Sequence, residues 1–153
     1  MKKKNSKTRE EKIEELVTFA KQFVGTPYKY GAPIKEAPKY FDCSGFIKYV
    51  FEHFGYEMPR STLLQATYAG KKVKEPQRGD LIFYRSLRGH YSPKYPQGIG
   101  HVVLYLGDGK GIHAISKVYK DYPIRVEKGW VKTQSLKKIQ QLEKDVVAIK
   151  RII

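Results

Sequence analysis

One cysteine stands in the chain, Cys43, within the stretch YFDCSGFIKYVFEHFG at residues 40–55. A lone cysteine has no intramolecular disulfide partner, so it is a small apolar filler, a metal ligand without other cysteines, or a nucleophile. It falls where loop-type residues give way to a helical stripe. At a helix start the unpaired backbone N–H groups and the dipole favour an anion, so the thiol pKa is expected below its ordinary value. The same N–H groups can donate to a developing oxyanion.

The chain holds four histidines. His53 comes late in the helical stripe beside aromatic residues and reads as a helix-end or core histidine. His90 sits in the polar stretch RSLRGHYSPKYPQGIG and reads as solvated. His101 opens one β-type run and His113 lies in the next. A thiol nucleophile needs an imidazole to take its proton and return it to the leaving amine. That imidazole needs a third polar group to hold its tautomer. Cys43, His101 and His113 can make such a set if the two histidines share a sheet face. A three-residue loop Gly107-Asp108-Gly109 places Val103 opposite His113 and puts both histidines on one face, about 7–8 Å apart as diagonal neighbours. A two-residue loop separates them. One cysteine and two histidines are also legitimate zinc ligands, but no close-spaced pair such as C-x-x-C accompanies them.

The elements that must position these residues follow from periodicity. Thr8 with Glu11 reads as a capping box, and Ile13, Leu16, Val17, Ala20 and Val24 predict a helix over 9–24. Three prolines and two glycines make 25–42 an ordered loop. Phe46, Ile47, Val50, Phe51 and Phe54 predict a helix over 43–54, closed by Gly55. A short helix is expected over 61–69. The period then changes, and strands are expected at 81–84, 101–106, 111–116, 124–128 and 146–152. Helices first and antiparallel strands after give an α+β class, with N-terminal helices packed on a sheet of about five strands.

With 153 residues and 41% hydrophobic content, one packed domain is expected over 9–153, preceded by a flexible basic tail at 1–8. Thirty Lys and Arg against fifteen Asp and Glu give a formal charge of +15. That surface attracts polyanions without choosing among them. The lysines are spread rather than clustered and no nucleic-acid motif appears, so no specific nucleic-acid partner is expected. No apolar run reaches the ~18 residues of a membrane span, and the basic N-terminus lacks the apolar run of a signal peptide.

GTPYKYG, FDCSGFIKYVF, FGYEMPRSTLLQ, RGDLIFY and GHVVLYLGDGKGIHA, in that order, resemble the NlpC-type cell-wall cysteine peptidases over residues 12–116. The resemblance implies a papain-like α+β fold and hydrolysis of an amide in the peptide stem of peptidoglycan, with no cofactor. It assigns Cys43 as nucleophile, His101 as general base and His113 as its orienter. Tyr28 falls where a tyrosine approaches the nucleophile and helps bind the oxyanion. Asp42 and Ser44, which flank the cysteine, and Arg60, Ser61 and Gln65 are expected to shape the substrate side of the cleft.

The match has departures. Ala32 replaces a usual second glycine, and 32–41 and 85–100 are longer than is common, so both are expected to wall the cleft. In the second, Arg85, Arg88, His90 and Lys94 with Tyr91 and Tyr95 form a basic, aromatic lid suited to the free carboxylates of peptide stems. Such a substrate implies the cell envelope or the exterior, although no signal peptide is present. Two alternatives carry weight: a non-catalytic module binding anionic cell-envelope polymers, and a thiol hydrolase or acyltransferase on another acyl substrate.

Overall fold

The structure is a computed structural model that describes residues 6–86, 90–143 and 145–153. Residues 1–5 of the expected tail therefore lie outside the described residues. Thr8 caps helix α1 (Arg9–Lys21), its hydroxyl oxygen accepting from the Glu11 N–H at 3.1 Å. The helix is shorter than the periodicity suggests, because Gly25 turns away with φ of 94°. Helix α2 (Cys43–His53) and helix α3 (Thr62–Tyr68) match the expected stripes.

Six strands form one antiparallel sheet: β1 (Lys71–Lys72), β2 (Leu81–Tyr84), β3 (His101–Gly107), β4 (Lys110–Lys120), β5 (Val126–Ser135) and β6 (Val146–Arg151). Their order is β1-β6-β2-β3-β4-β5. A fourth helix, α4 (Leu136–Leu142), lies between β5 and β6. Phe46, Ile47, Val50 and Phe51 of α2 are fully buried in a core shared with Leu81, Phe83, Val102, Leu104, Ile112 and Ala114. Each such side chain contributes about 1.5–3 kcal/mol by leaving water. On the other sheet face Ile139 of α4 packs with Ile82, Tyr84 and Val103. Cover on both faces explains why LIFY shows no polar alternation.

Asp80, entering β2, is fully buried and accepts from Arg151 of β6 at 3.0 and 2.8 Å and from the Gln77 N–H at 2.7 Å. The ring of His53 stacks on Phe19 of α1 at 3.9 Å between centroids, as a helix-end packing residue does.

The β3–β4 hairpin departs from the expected loop in an instructive way. Gly107 pairs with Lys110, so the turn has two residues, Asp108 and Gly109, with φ of 51° and 71°. A bulge between Tyr105 and Gly107 supplies the extra residue. Beyond it the register is Leu104 opposite Ile112, which carried onward sets His113 opposite Val103. The two histidines therefore share a face, by a bulge and a tight turn rather than by a wide loop.

Candidate active site

Cys43 is the first residue of α2, and its neighbours make that helix start unusually well tied. The Asp42 carboxylate caps it, accepting from the Gly45 N–H at 2.7 Å. A Cβ on residue 45 would stand 2.8 Å from that same oxygen, so the close cap requires glycine. Arg60 donates to both Asp42 oxygens, at 3.1 and 2.7 Å, to the Ser44 hydroxyl at 3.0 Å and to the Ala32 carbonyl at 2.7 Å. Ala32 thus anchors its loop to α2 through its backbone.

Cys43 is 8% exposed as a residue, and its sulfur lies 3.5 Å from the Thr62 hydroxyl and 4.0 Å from the carbonyl of Gly100, the residue before His101. Burial pushes the thiol up to about 11, and the Asp42 carboxylate adds to this against the opposing hydrogen bond from Thr62. The expectation of a lowered thiol pKa is therefore corrected. Loss of water, with an anionic cap beside it, outweighs the helix dipole.

His101 opens β3, so its ring reaches the end of the sheet. His101 Nε2 and His113 Nδ1 are 2.7 Å apart, and His113 Nε2 lies 2.8 Å from Gln134 Oε1 on β5. Burial first, and then the neighbouring ring, hold His101 well below the ordinary histidine value. Burial likewise lowers His113 to about 4, although its bond to Gln134 opposes the shift. Both rings are neutral at neutral pH.

A cleft across the strand ends joins these groups. Cys43, His101, Tyr28, Asp42, Ser44 and Arg60 line it, and Ser61 and Thr62 extend it. Leu142, the last residue of α4, and Glu143 after it also line it. Tyr28 is placed by two backbone pairings. Its N–H donates to the Gly129 carbonyl of β5 at 2.8 Å, and the Phe41 N–H donates to Pro27 at 3.2 Å. His113 is fully buried behind His101 rather than in the wall. Ser61 also caps α3, accepting from the Leu64 N–H at 3.2 Å. Gln65 is fully buried, donating to the Ser44 and Pro59 carbonyls at 3.0 and 2.8 Å, so it ties α3 to α2. It does not line the cleft among the described residues.

The expected loop roles need revision. Residues 32–41 do not line the cleft; Tyr30 and Gly31 just before them do. Of 85–100, Ser86, His90 and Gly100 reach it. Tyr95 is a core residue, 3% exposed, whose hydroxyl donates to the Ala66 carbonyl at 2.9 Å. Arg85 pairs with Asp145 at 3.3 Å, and Arg88 lies outside the described residues. Cations at the cleft come instead from Arg60 and from Arg125, which precedes β5. Thr62 and Gln134 were not singled out by sequence reasoning. Thr62 lies within the segment FGYEMPRSTLLQ, between Ser61 and Gln65, whereas Gln134 comes to His113 only through the β4–β5 pairing. No group of three or more His, Cys, Asp or Glu side chains able to hold a metal ion occurs among the described residues.

A helix N-terminus bearing a cysteine, set against a histidine that opens a strand of an antiparallel sheet, is the arrangement of the papain-like α+β class. The chain belongs to the NlpC/P60 family, whose profile matches residues 25–138. The probable endopeptidase p60 of Listeria innocua is 37% identical over 102 residues, covering 65% of this chain and 19% of that protein. The γ-D-glutamyl-L-lysine dipeptidyl-peptidase of Bacillus cereus is 33% identical over 102 residues, covering 66% of this chain and 28% of that protein. The chain thus spans less than a third of these two relatives. The crystal structure of the P60 domain of a Mycobacterium avium subspecies paratuberculosis antigen superposes with a TM-score of 0.64 at 27% identity. That match covers 92% of this chain and 94% of that domain.

Proposed function

We propose that the chain is a cysteine peptidase that hydrolyses an amide bond in peptidoglycan stem peptides. The observation that carries this is the 2.7 Å contact between the neutral rings of His101 and His113 at a cleft shared with the Cys43 thiol. In the proposed mechanism His101 takes the thiol proton as the sulfur attacks the carbonyl carbon. The tetrahedral oxyanion forms near the N–H groups at the start of α2, with Tyr28 as a further donor. His101 then gives its proton to the leaving amine, and a thioester remains on Cys43. Water, deprotonated by His101, releases the acid and restores the thiol.

Arg60, held by Asp42, and Arg125, paired with Asp121 and Glu127, lie at the cleft and are the groups proposed to meet a stem carboxylate, the role first expected of the 85–100 lid. The name of the Bacillus cereus relative favours the bond between γ-D-Glu and the diamino acid over a D-Ala cross-link. The test is incubation of defined stem peptides carrying each bond, followed by mass analysis. Cleavage after γ-D-Glu supports this reading, and cleavage only at the D-Ala bond redirects it. Anionic cell-envelope polymers are proposed as a secondary attraction, resting on the +15 charge alone.

A further inference from the structure

We infer that Gln134 is the positioning residue that sets the tautomers of both histidines, by accepting a hydrogen bond at the buried end of the chain His101–His113–Gln134. The inference rests on the proposed role of His101 as base. Gln134 Oε1 is an amide oxygen, which only accepts. Its contact with His113 Nε2, at 2.8 Å, therefore requires the proton on Nε2. A neutral His113 then has a bare Nδ1, which accepts across 2.7 Å from His101 Nε2. His101 in turn carries its proton on Nε2 and leaves Nδ1 bare. That bare nitrogen is what a proton acceptor for the thiol needs.

The logic runs one way only. With a donor in place of Oε1, His113 would hold its proton on Nδ1 and His101 would present an N–H to the cleft. Burial makes the relay consequential, because His113 is fully buried and both rings stay neutral at neutral pH. A neutral ring has two tautomers, and no charge selects between them. Gln134 reaches His113 from β5, where Lys132 stands directly opposite His113 and Gln134 opposite Gly111. It is thus the diagonal cross-strand neighbour. Gly111 itself has no room for a side chain, since a Cβ there would stand 2.4 Å from Val103 Cγ1.

The experiment compares wild type, Gln134→Leu, Gln134→Glu and Cys43→Ala by 15N NMR of the histidine rings and by the pH profile of stem-peptide cleavage. In wild type and Cys43→Ala, His113 shows a protonated Nε2 and a bare Nδ1, and His101 the same. Gln134→Leu gives a tautomer mixture and lowers kcat about tenfold with KM and Tm little changed. Gln134→Glu keeps the acceptor and restores alkaline activity. Its charge raises the His113 pKa, so the acid limb of kcat moves upward. Unchanged tautomers and kcat in Gln134→Leu, while Cys43→Ala is dead, would overturn this inference and leave the peptidase reading standing. Cleavage that persists in Cys43→Ala defeats the peptidase reading, and the ring spectra still decide the role of Gln134.

Discussion

In the proposed mechanism the Cys43 thiol, its pKa raised by burial, shares its cleft with the neutral His101 ring, so its reactivity depends on proton transfer during attack rather than on a standing thiolate–imidazolium pair. With the thiol pushed up to about 11 by burial, alkylation of Cys43 by iodoacetamide should keep rising with pH through the neutral range and show no plateau near 7. A plateau below 8 would contradict the assignment. The buried histidines carry a second consequence. The unfolded chain protonates His113 near 6.5, and the folded chain only at about 4. Below 6.5 the unfolded state therefore binds more protons, and stability falls as pH drops from 6.5 to about 4. His113 contributes up to about 3 kcal/mol to this loss. Urea unfolding at pH 7 and pH 4.5 measures it, and His113→Asn should flatten the dependence. Cys43, His101 and His113 were legible as candidates because types and order constrain chemistry. The direction of the thiol shift was not, because a sequence carries no record of solvent exclusion, which is its largest cause.

At the scale of elements, the helix start is held by Asp42 and the sheet by close backbone approach at β4–β5. Asp42→Ala removes the Gly45 cap and both Arg60 bonds, and should cost about 2–4 kcal/mol in thermal or urea unfolding. Gly129 stands opposite Ser116, and a Cβ there would lie 2.0 Å from the Ile115 carbonyl oxygen. Gly129→Ala should therefore lower stability by about 3 kcal/mol and weaken cleavage too, since Gly129 receives the Tyr28 N–H. A wild-type melting curve for this variant would contradict the packing described. The three early helices were readable because their apolar stripes and caps are local. α4 was not, since LKKIQQL offers two short turns with three apolar residues. β5 was placed too early and too short because its half-exposed run VEKGWVKTQS lacks clean alternation. The bulge at Tyr105 and Gly107 leaves no sequence mark apart from its glycines, so the loop reading could offer a shared face for the histidines only on condition of a wider loop.

Over the whole molecule the α+β layers bring residues 43, 101, 113 and 134 together from one helix and three strands. The site therefore depends on the pairing of β3, β4 and β5 and on α2 rather than on any one local motif. The +15 charge acts at longer range. Association with intact, anionic cell-wall material should weaken steeply between low and physiological salt, while cleavage of small neutralised stem peptides changes much less. Equal salt dependence for both substrates would place the charge effect at the cleft itself. The most direct test of the central claim is mass spectrometry of purified muropeptides incubated with wild-type protein and with Cys43→Ala. Wild type should yield two products whose masses together exceed the substrate by one water, and the variant, folded as judged by circular dichroism, should yield none. Cleavage surviving in Cys43→Ala, or intact muropeptides after incubation with wild type, would contradict it.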